Sequence, residues 1–161
     1  MVDKREFILG EFQRSIDDRY RISIPAELAE PLTSQGTECI LAKERAGALS
    51  VWNAETWGNR LDQSVGLVRS KIEAGRLEGR IEDVQHLGRL LSTRHKHVQI
   101  AGRGRLLIPE GFREFLGVEP GGDVLLVGAA LCVEIWQPEQ WFSFLEGRMP
   151  EFGKLLDDLA G

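Results

Sequence analysis

The 161-residue chain is predicted to adopt an α+β fold in which one small β-rich unit occurs twice in tandem, with a helical hairpin between the copies. Three observations carry this prediction. The chain repeats itself without a gap at a spacing of 84 residues, each copy reads as short apolar runs punctuated by Gly and Pro, and the joining segment places apolar residues at helical spacing.

Ile16 to Trp57 superimposes on Ile100 to Trp141. Ile16, Arg19, Arg21, Ile24, Pro25, Glu30, Leu32, Leu41, Ala46, Trp52, Glu55 and Trp57 recur as Ile100, Arg103, Arg105, Ile108, Pro109, Glu114, Leu116, Leu125, Ala130, Trp136, Glu139 and Trp141, so twelve of 42 pairs are identical. Two tryptophans in register with an R-x-R-x-x-I-P string exceed what chance supplies.

Each copy then reads in the same order. An apolar strand (Phe12 to Ile16; Val98 to Ile100) enters a short polar loop bearing two arginines and leaves through a second strand (Ile22 to Ile24; Leu106 to Ile108). Proline at the first helical position opens a short helix, Pro25 to Leu32 and Pro109 to Leu116, and Gly117 is placed to end the second. Two further strands follow, Cys39 to Lys43 with Leu49 to Trp52, and Val124 to Gly128 with Cys132 to Trp136. An amphipathic helix comes last, opened by Asn53 in one copy and Pro138 in the other.

About 45 residues bury too little apolar surface to fold alone, so the copies must share a core. Between them Leu61, Val65, Val68 and Ile72, then Leu77, Ile81, Val84, Leu87 and Leu91, recur at helical spacing on either side of Gly75. This predicts a helical hairpin whose stripes pack on the sheets or on a neighbouring subunit. The expected organisation is a first repeat over 7–57, the connector over 58–93, a second repeat over 94–141 and a helical tail over 142–161. Phe142, Phe144, Leu145, Phe152, Leu155, Leu156 and Leu159 of the tail are expected to close the core or a subunit interface.

Composition narrows the function classes. Apolar runs such as Val124 to Val127 fall far short of the roughly 18 residues of a membrane helix, and Met1 to Glu6 is charged, so a cytoplasmic protein is expected. Cys39 and Cys132 sit in apolar contexts without C-x-x-C spacing and read as buried hydrophobes. His86, His95 and His97 lack carboxylates or thiols at ligand spacing and read as solvent-exposed or phosphate-contacting. Neither superimposed segment, Ile16 to Trp57 or Ile100 to Trp141, contains a histidine, Ser23 and Ser50 lack a nearby base, and no Gly-rich phosphate loop follows a strand; an enzyme is not expected, nor a metal, cofactor or small-molecule substrate.

The net charge of −5 opposes nucleic-acid binding only until its distribution is considered. From Arg69 to Arg105, nine basic residues face four acidic ones, leaving that segment at +5 and the remainder at −10. An acidic body with a local basic surface keeps a protein soluble while letting one face capture DNA.

The strings Gly10-Glu11-Phe12, Ile16-Asp17-x-x-x-Arg21-Ile-x-Ile-Pro25 and Gly104-Arg105-Leu-x-Ile-Pro109, with Val124-Leu-Leu-Val-Gly128 and Glu134-Ile-Trp136-x-x-x-x-Trp141, resemble the MraZ family over nearly the whole chain. That family belongs with the AbrB-like swapped-hairpin DNA-binding domains. The resemblance implies tandem duplicated, β-barrel-like swapped-hairpin units and a nucleoid-associated repressor of the bacterial division and cell-wall gene cluster. It further implies short repeated operator boxes near the regulator's own promoter and assembly into a homo-oligomeric ring. By position it places Arg21 and Arg105 on the DNA-facing loops. The sequence departs from the family pattern at Tyr20, where a glycine is usual, and at Ala101, where an aspartate is usual.

The residues support the same reading. The two loops present Arg19, Arg21, Arg103 and Arg105, and arginine suits bidentate contact with guanine or phosphate. Arg14, Arg94 and Lys96 flank them as candidate phosphate contacts. Asp17 can pin the first loop by accepting hydrogen bonds from its N–H groups or from Arg21, whereas Gly104, with Gly102, permits the second turn. Tyr20 is expected to stack on Arg19 or on a sugar. The competing reading keeps the fold as an AbrB-like antitoxin or protein-binding scaffold, for which a single repeat with a disordered tail would be the more usual build.

Overall fold

The computed structural model describes residues 7–161; the charged start read at Met1 to Glu6 lies outside them. Strand β1 (Glu11–Ser15) leads through a tight loop into β2 (Arg21–Ser23), helix α1 (Ala26–Leu32), strands β3 (Glu38–Arg45) and β4 (Ala48–Asn53), and the long helix α2 (Ala54–Glu73). After a turn at Gly75 come α3 (Ile81–Arg94), β5 (His95–Gln99), β6 (Arg105–Leu107), the single turn α4 (Arg113–Leu116), β7 (Asp123–Gly128), β8 (Val133–Trp136), α5 (Pro138–Glu146) and α6 (Phe152–Ala160). Strands β1 and β5 lie 84 residues apart end for end, as do β2 and β6.

Six strands form one antiparallel sheet in the order β1-β7-β8-β4-β3-β5, and β2 pairs with β6 as a separate antiparallel ribbon. The order amounts to an exchange. β1 from the first half pairs with β7 of the second, β5 from the second pairs with β3 of the first, and β4 meets β8 at the centre. The chain is therefore a mixed α+β protein whose halves complete one another's sheet.

Side chains alternate across a strand, so the sheet has two distinct faces. On one, Leu41, Leu49, Val51, Val124, Leu126, Val133 and Ile135 form a single buried cluster with Ile22, Ile24, Leu106 and Ile108 of the ribbon and with Leu28 and Leu32 of α1. On the other, Ala48, Leu125 and Trp136 bury Trp141 of α5, with Phe144 and Leu145 beside it. Both cysteines are buried; desolvation pushes the Cys39 thiol up to about 11 and the Cys132 thiol up to about 12, the latter helped by the charges of Glu134 and Glu44.

Some elements differ from the sequence reading. Pro25 stands at the N-cap of α1 with ψ 149°, one residue before the first helical position. The second short helix starts at Arg113 instead of Pro109, because Gly111 takes φ 86° and an α-helix cannot continue through that conformation. Asn53 caps α2 as read, accepting from the Glu55 N–H at 3.1 Å. Helix α2 lies against β3 and β4, and α3 meets the sheet at β5. No stripe residue of either helix is buried, so the sheet alone does not cover them. The tail divides: α5 packs on the second face through Trp141, Phe144 and Leu145, while Phe142 of α5 and Phe152, Leu155, Leu156 and Leu159 of α6 stay exposed. Among the described residues, no helix is long and apolar enough to cross a membrane.

Leu126 is fully buried where β7 meets both β1 and β8, and Leu126→Ala is expected to cost about 2–5 kcal/mol, read as a lower urea midpoint at unchanged slope.

Candidate nucleic-acid interface

The first loop is organised by one carboxylate. Asp17 Oδ1 accepts from the backbone N–H of Arg19 and of Arg21, both at 2.9 Å, and Oδ2 accepts from Arg21 Nε at 2.8 Å. The Asp17 N–H donates to the Arg21 carbonyl and the Tyr20 N–H to the Asp17 carbonyl, both at 3.1 Å. The Arg21 backbone N–H, and after it the Arg19 N–H and the Arg21 guanidinium, hold the Asp17 carboxyl below its ordinary value of 3.8 against some desolvation. With Nε occupied, the outer Nη edge of Arg21 remains as its donor surface.

The loop closes through Tyr20 at φ 59°, a left-handed conformation that costs a non-glycine residue about 1–2 kcal/mol. The Tyr20 ring does not stack on Arg19. The Arg113 guanidinium lies 4.2 Å from its centroid instead, and Arg113 Nε donates to the Ile108 carbonyl at 2.8 Å. Arg113 was missed in the sequence because nothing in its spacing links the second short helix to the first loop.

The second loop uses another device. Ala101 and Arg105 exchange backbone hydrogen bonds of 2.8 and 3.2 Å, Arg103 sits at φ 66°, and Gly104 follows at φ 72°. A Cβ on Gly104 would lie 2.2 Å from the Ile24 carbonyl oxygen, so this glycine is required by contact as well as by conformation. Ala101 offers no carboxylate. Among the described residues, Arg105 and Arg103 have no ion-pair partner.

The ribbon brings the loops together. Arg21 is opposite Leu107 and Ser23 is opposite Arg105, while Ile22 and Leu106 point into the core. Paired residues share a face, so Arg21, Ser23, Arg105 and Leu107 project outward side by side. Arg14, Ser15, Asp17, Arg21, Ser23 and Arg105 line a cleft of about 390 Å³ at this surface. Arg14 is thus gathered in, with its Nη1 donating to the Gln13 carbonyl at 2.7 Å. Arg19 and Arg103 are exposed at the loop tips. Ser15, Ser23 and Leu107 are not among the expected DNA-facing residues: the run Arg105-Leu106-Leu107 is uniformly apolar after its arginine, yet strand alternation buries Leu106 and leaves Leu107 51% exposed.

Arg94 and Lys96 are not part of this cluster. Lys96 is exposed in mid-strand opposite Leu41. Arg94 lies just before β5, at the end away from the loop, where Nη2 is 3.1 Å from Glu44 Oε2 and Nη1 is 2.8 Å from His95 Nε2. Arginine can only donate, so that nitrogen accepts and His95 is neutral. His95 is also half-buried with its ring 4.4 Å from that of Trp57, in contrast to the exposed histidine read from the sequence. Burial first, and then the Arg94 charge, hold its pKa below the ordinary 6.5, against smaller opposing effects of Glu44 and the Leu91 backbone.

The profile of the MraZ protein, antitoxin-like by its description, matches residues 93–154. A protein named transcriptional regulator MraZ from Thermus thermophilus is 31% identical over 137 residues, covering 85% of this chain and 86% of its own. Proteins of the same name from Acetivibrio thermocellus and Heliobacterium modesticaldum are each 30% identical, over 135 and 151 residues. They cover 84% and 94% of this chain, and 84% and 95% of their own.

Two predictions follow from the loop and from the histidine. Gly104→Ala is expected to destabilise well beyond the roughly 1 kcal/mol of its backbone conformation, whereas Gly111→Ala, at φ 86° with open space around it, should cost only about that amount; thermal melts of the two variants decide it. Because folding lowers the His95 pKa, the unfolded chain binds the proton more readily, so this contribution is complete above 6.5 and is lost as pH falls below it. His95→Gln should remove that part of the drop in melting temperature between about pH 7 and pH 5.

Proposed function

The chain belongs to the MraZ family, and from that membership we propose that it is a sequence-specific DNA-binding transcriptional regulator that reads duplex DNA with the β2–β6 ribbon. One observation carries the reading: Arg21 and Arg105 stand at diagonal positions on the outward face of a two-stranded ribbon whose other face is buried. The major groove is about 12 Å wide and admits such a ribbon. Diagonal cross-strand neighbours are roughly 7–8 Å apart, close to two base-pair steps of about 3.4 Å each. The two arginines therefore suit guanines about two steps apart, with Ser23 between them and Leu107 able to meet a thymine methyl. Arg14, Arg19 and Arg103 suit flanking phosphates.

The finer reading is a repressor acting on repeated boxes at its own promoter, within the bacterial division and cell-wall gene cluster, in the cytoplasm and at the nucleoid. The duplicated swapped-hairpin architecture belongs to this proposal, supported by the exchange of β1 and β5 between the halves. So does a closed homo-oligomer, supported by the apolar residues left uncovered on α2, α3 and α6, since repeated boxes reward multivalent binding without new contacts.

Selection of duplexes from a randomised pool by the purified protein tests the function: enrichment of a repeated motif is expected, and no enrichment would favour the scaffold reading. On the selected duplex at fixed salt, Arg21→Ala and Arg105→Ala are each expected to cost about 1–3 kcal/mol, with the larger loss for Arg21, the arginine that Asp17 already holds in place. Equal losses would refute the asymmetry. Light scattering at micromolar concentration should report a closed oligomer; a stable monomer would remove that part of the proposal.

A further inference from the structure

We infer that Arg113 is a positioning residue for the first DNA-reading loop, acting through Tyr20. The inference rests on the function proposed above for that loop. Three contacts form a closed circuit. The Arg113 guanidinium lies 4.2 Å from the Tyr20 ring centroid, and Arg113 Nε donates to the Ile108 carbonyl at 2.8 Å. The Ile108 N–H donates to the Tyr20 carbonyl at 2.9 Å, and Tyr20 joins Arg19 to Arg21 at φ 59°. The ring and the carbonyl of one strained residue are thus held by a single side chain and by the residue whose carbonyl it grips.

The internal repeat supplies the control. Eighty-four residues from Tyr20 stands Gly104, and 84 residues from Arg113 stands Ala29. Where the left-handed position is a glycine, which needs no support there, the clamp position is alanine; where it is tyrosine, the clamp position is arginine. The Gly104 carbonyl still accepts from the Ile24 N–H at 2.8 Å, so the backbone half of the circuit exists in both halves and only the side-chain half differs. Tyr20 and Arg113 therefore behave as one compensating pair. The arginine keeps a costly turn closed so that Arg19 and Arg21 meet DNA already placed.

The pair is testable because Tyr20 is the single tyrosine of the chain. Full-length protein labelled with 3-fluorotyrosine gives one fluorine resonance, and Arg113→Gln is expected to shift and broaden it without DNA. An unchanged resonance would overturn the clamp whether or not the protein binds DNA, and a wild-type protein that binds no duplex would overturn the function alone. On the selected duplex, Arg113→Gln is expected to weaken binding roughly three- to tenfold with an unchanged slope of affinity against salt. A slope reduced by about one would mean that Arg113 itself touches phosphate. In a Tyr20→Gly background the same substitution should have no effect on affinity, and an equal loss there would refute action through Tyr20. If Arg113→Gln fails to fold, Tyr20→Leu in the otherwise native chain replaces it: a loss matching the same three- to tenfold range is expected, and full affinity would refute the proposal.

Discussion

Two hydrogen bonds cross between the halves at the loops, from the Ile24 N–H to the Gly104 carbonyl and from the Ile108 N–H to the Tyr20 carbonyl. Each joins the residue just before the proline of one half to the left-handed turn of the other. With the β2–β6 pairing they fix the ribbon, and the ribbon in turn seals the core face of the six-stranded sheet through Ile22, Ile24, Leu106 and Ile108. Neither half has a partner for its first strand within itself, since β1 pairs with β7 and β5 with β3. The halves must therefore fold together, and the arginines reach the surface only because Ile22 and Leu106 between them are committed to the interior.

The two loops solve one geometric problem in different chemical ways. The first spends a carboxylate, with Asp17 collecting two backbone N–H groups and a guanidinium, and accepts a strained Tyr20. The second uses a glycine so closely seated against the Ile24 carbonyl that no other residue fits. A loop held by charged hydrogen bonds loses less conformational freedom on binding than one held by backbone contacts alone. In the proposed function this makes the pseudo-symmetric ribbon an unequal reader, tied to Asp17 at Arg21 and, among the described residues, to no carboxylate at Arg105.

The repeat was legible because Arg, Ile, Pro and Trp recur in register, and that recurrence marks the strand–loop–strand order and the arginine pairs. Asp17 was legible too, since a carboxylate four residues before an arginine across a turn has an obvious partner. The exchange of strands was implied by the family resemblance alone, because a hydrophobic pattern fixes which face of β1 is buried but not which edge it joins. Leu107 was obscured by its apolar neighbour Leu106. The Tyr20–Arg113 contact joins residues 93 positions apart and exists only after the halves interlock. The late start of α4 depends on the left-handed conformation of Gly111, which the proline two residues before it does not reveal.

The distribution of apolar surface bears on how such a reader would be used. Register places His95 opposite Ala42, which faces Ser50, itself opposite Glu134; the ring of His95 meets Trp57, so α2 lies on the sheet face away from the ribbon. Trp136 and Trp141 put α5 on that same face. Helices α2 and α5 and the arginine ribbon thus belong to opposite sides of one sheet. A subunit contact made through the helices would leave the ribbon uncovered, and copies joined that way could present several ribbons to successive boxes. Each ribbon offers only two arginines and a few flanking cations, too little for tight binding by itself, so affinity would come from how many ribbons one assembly can seat at once.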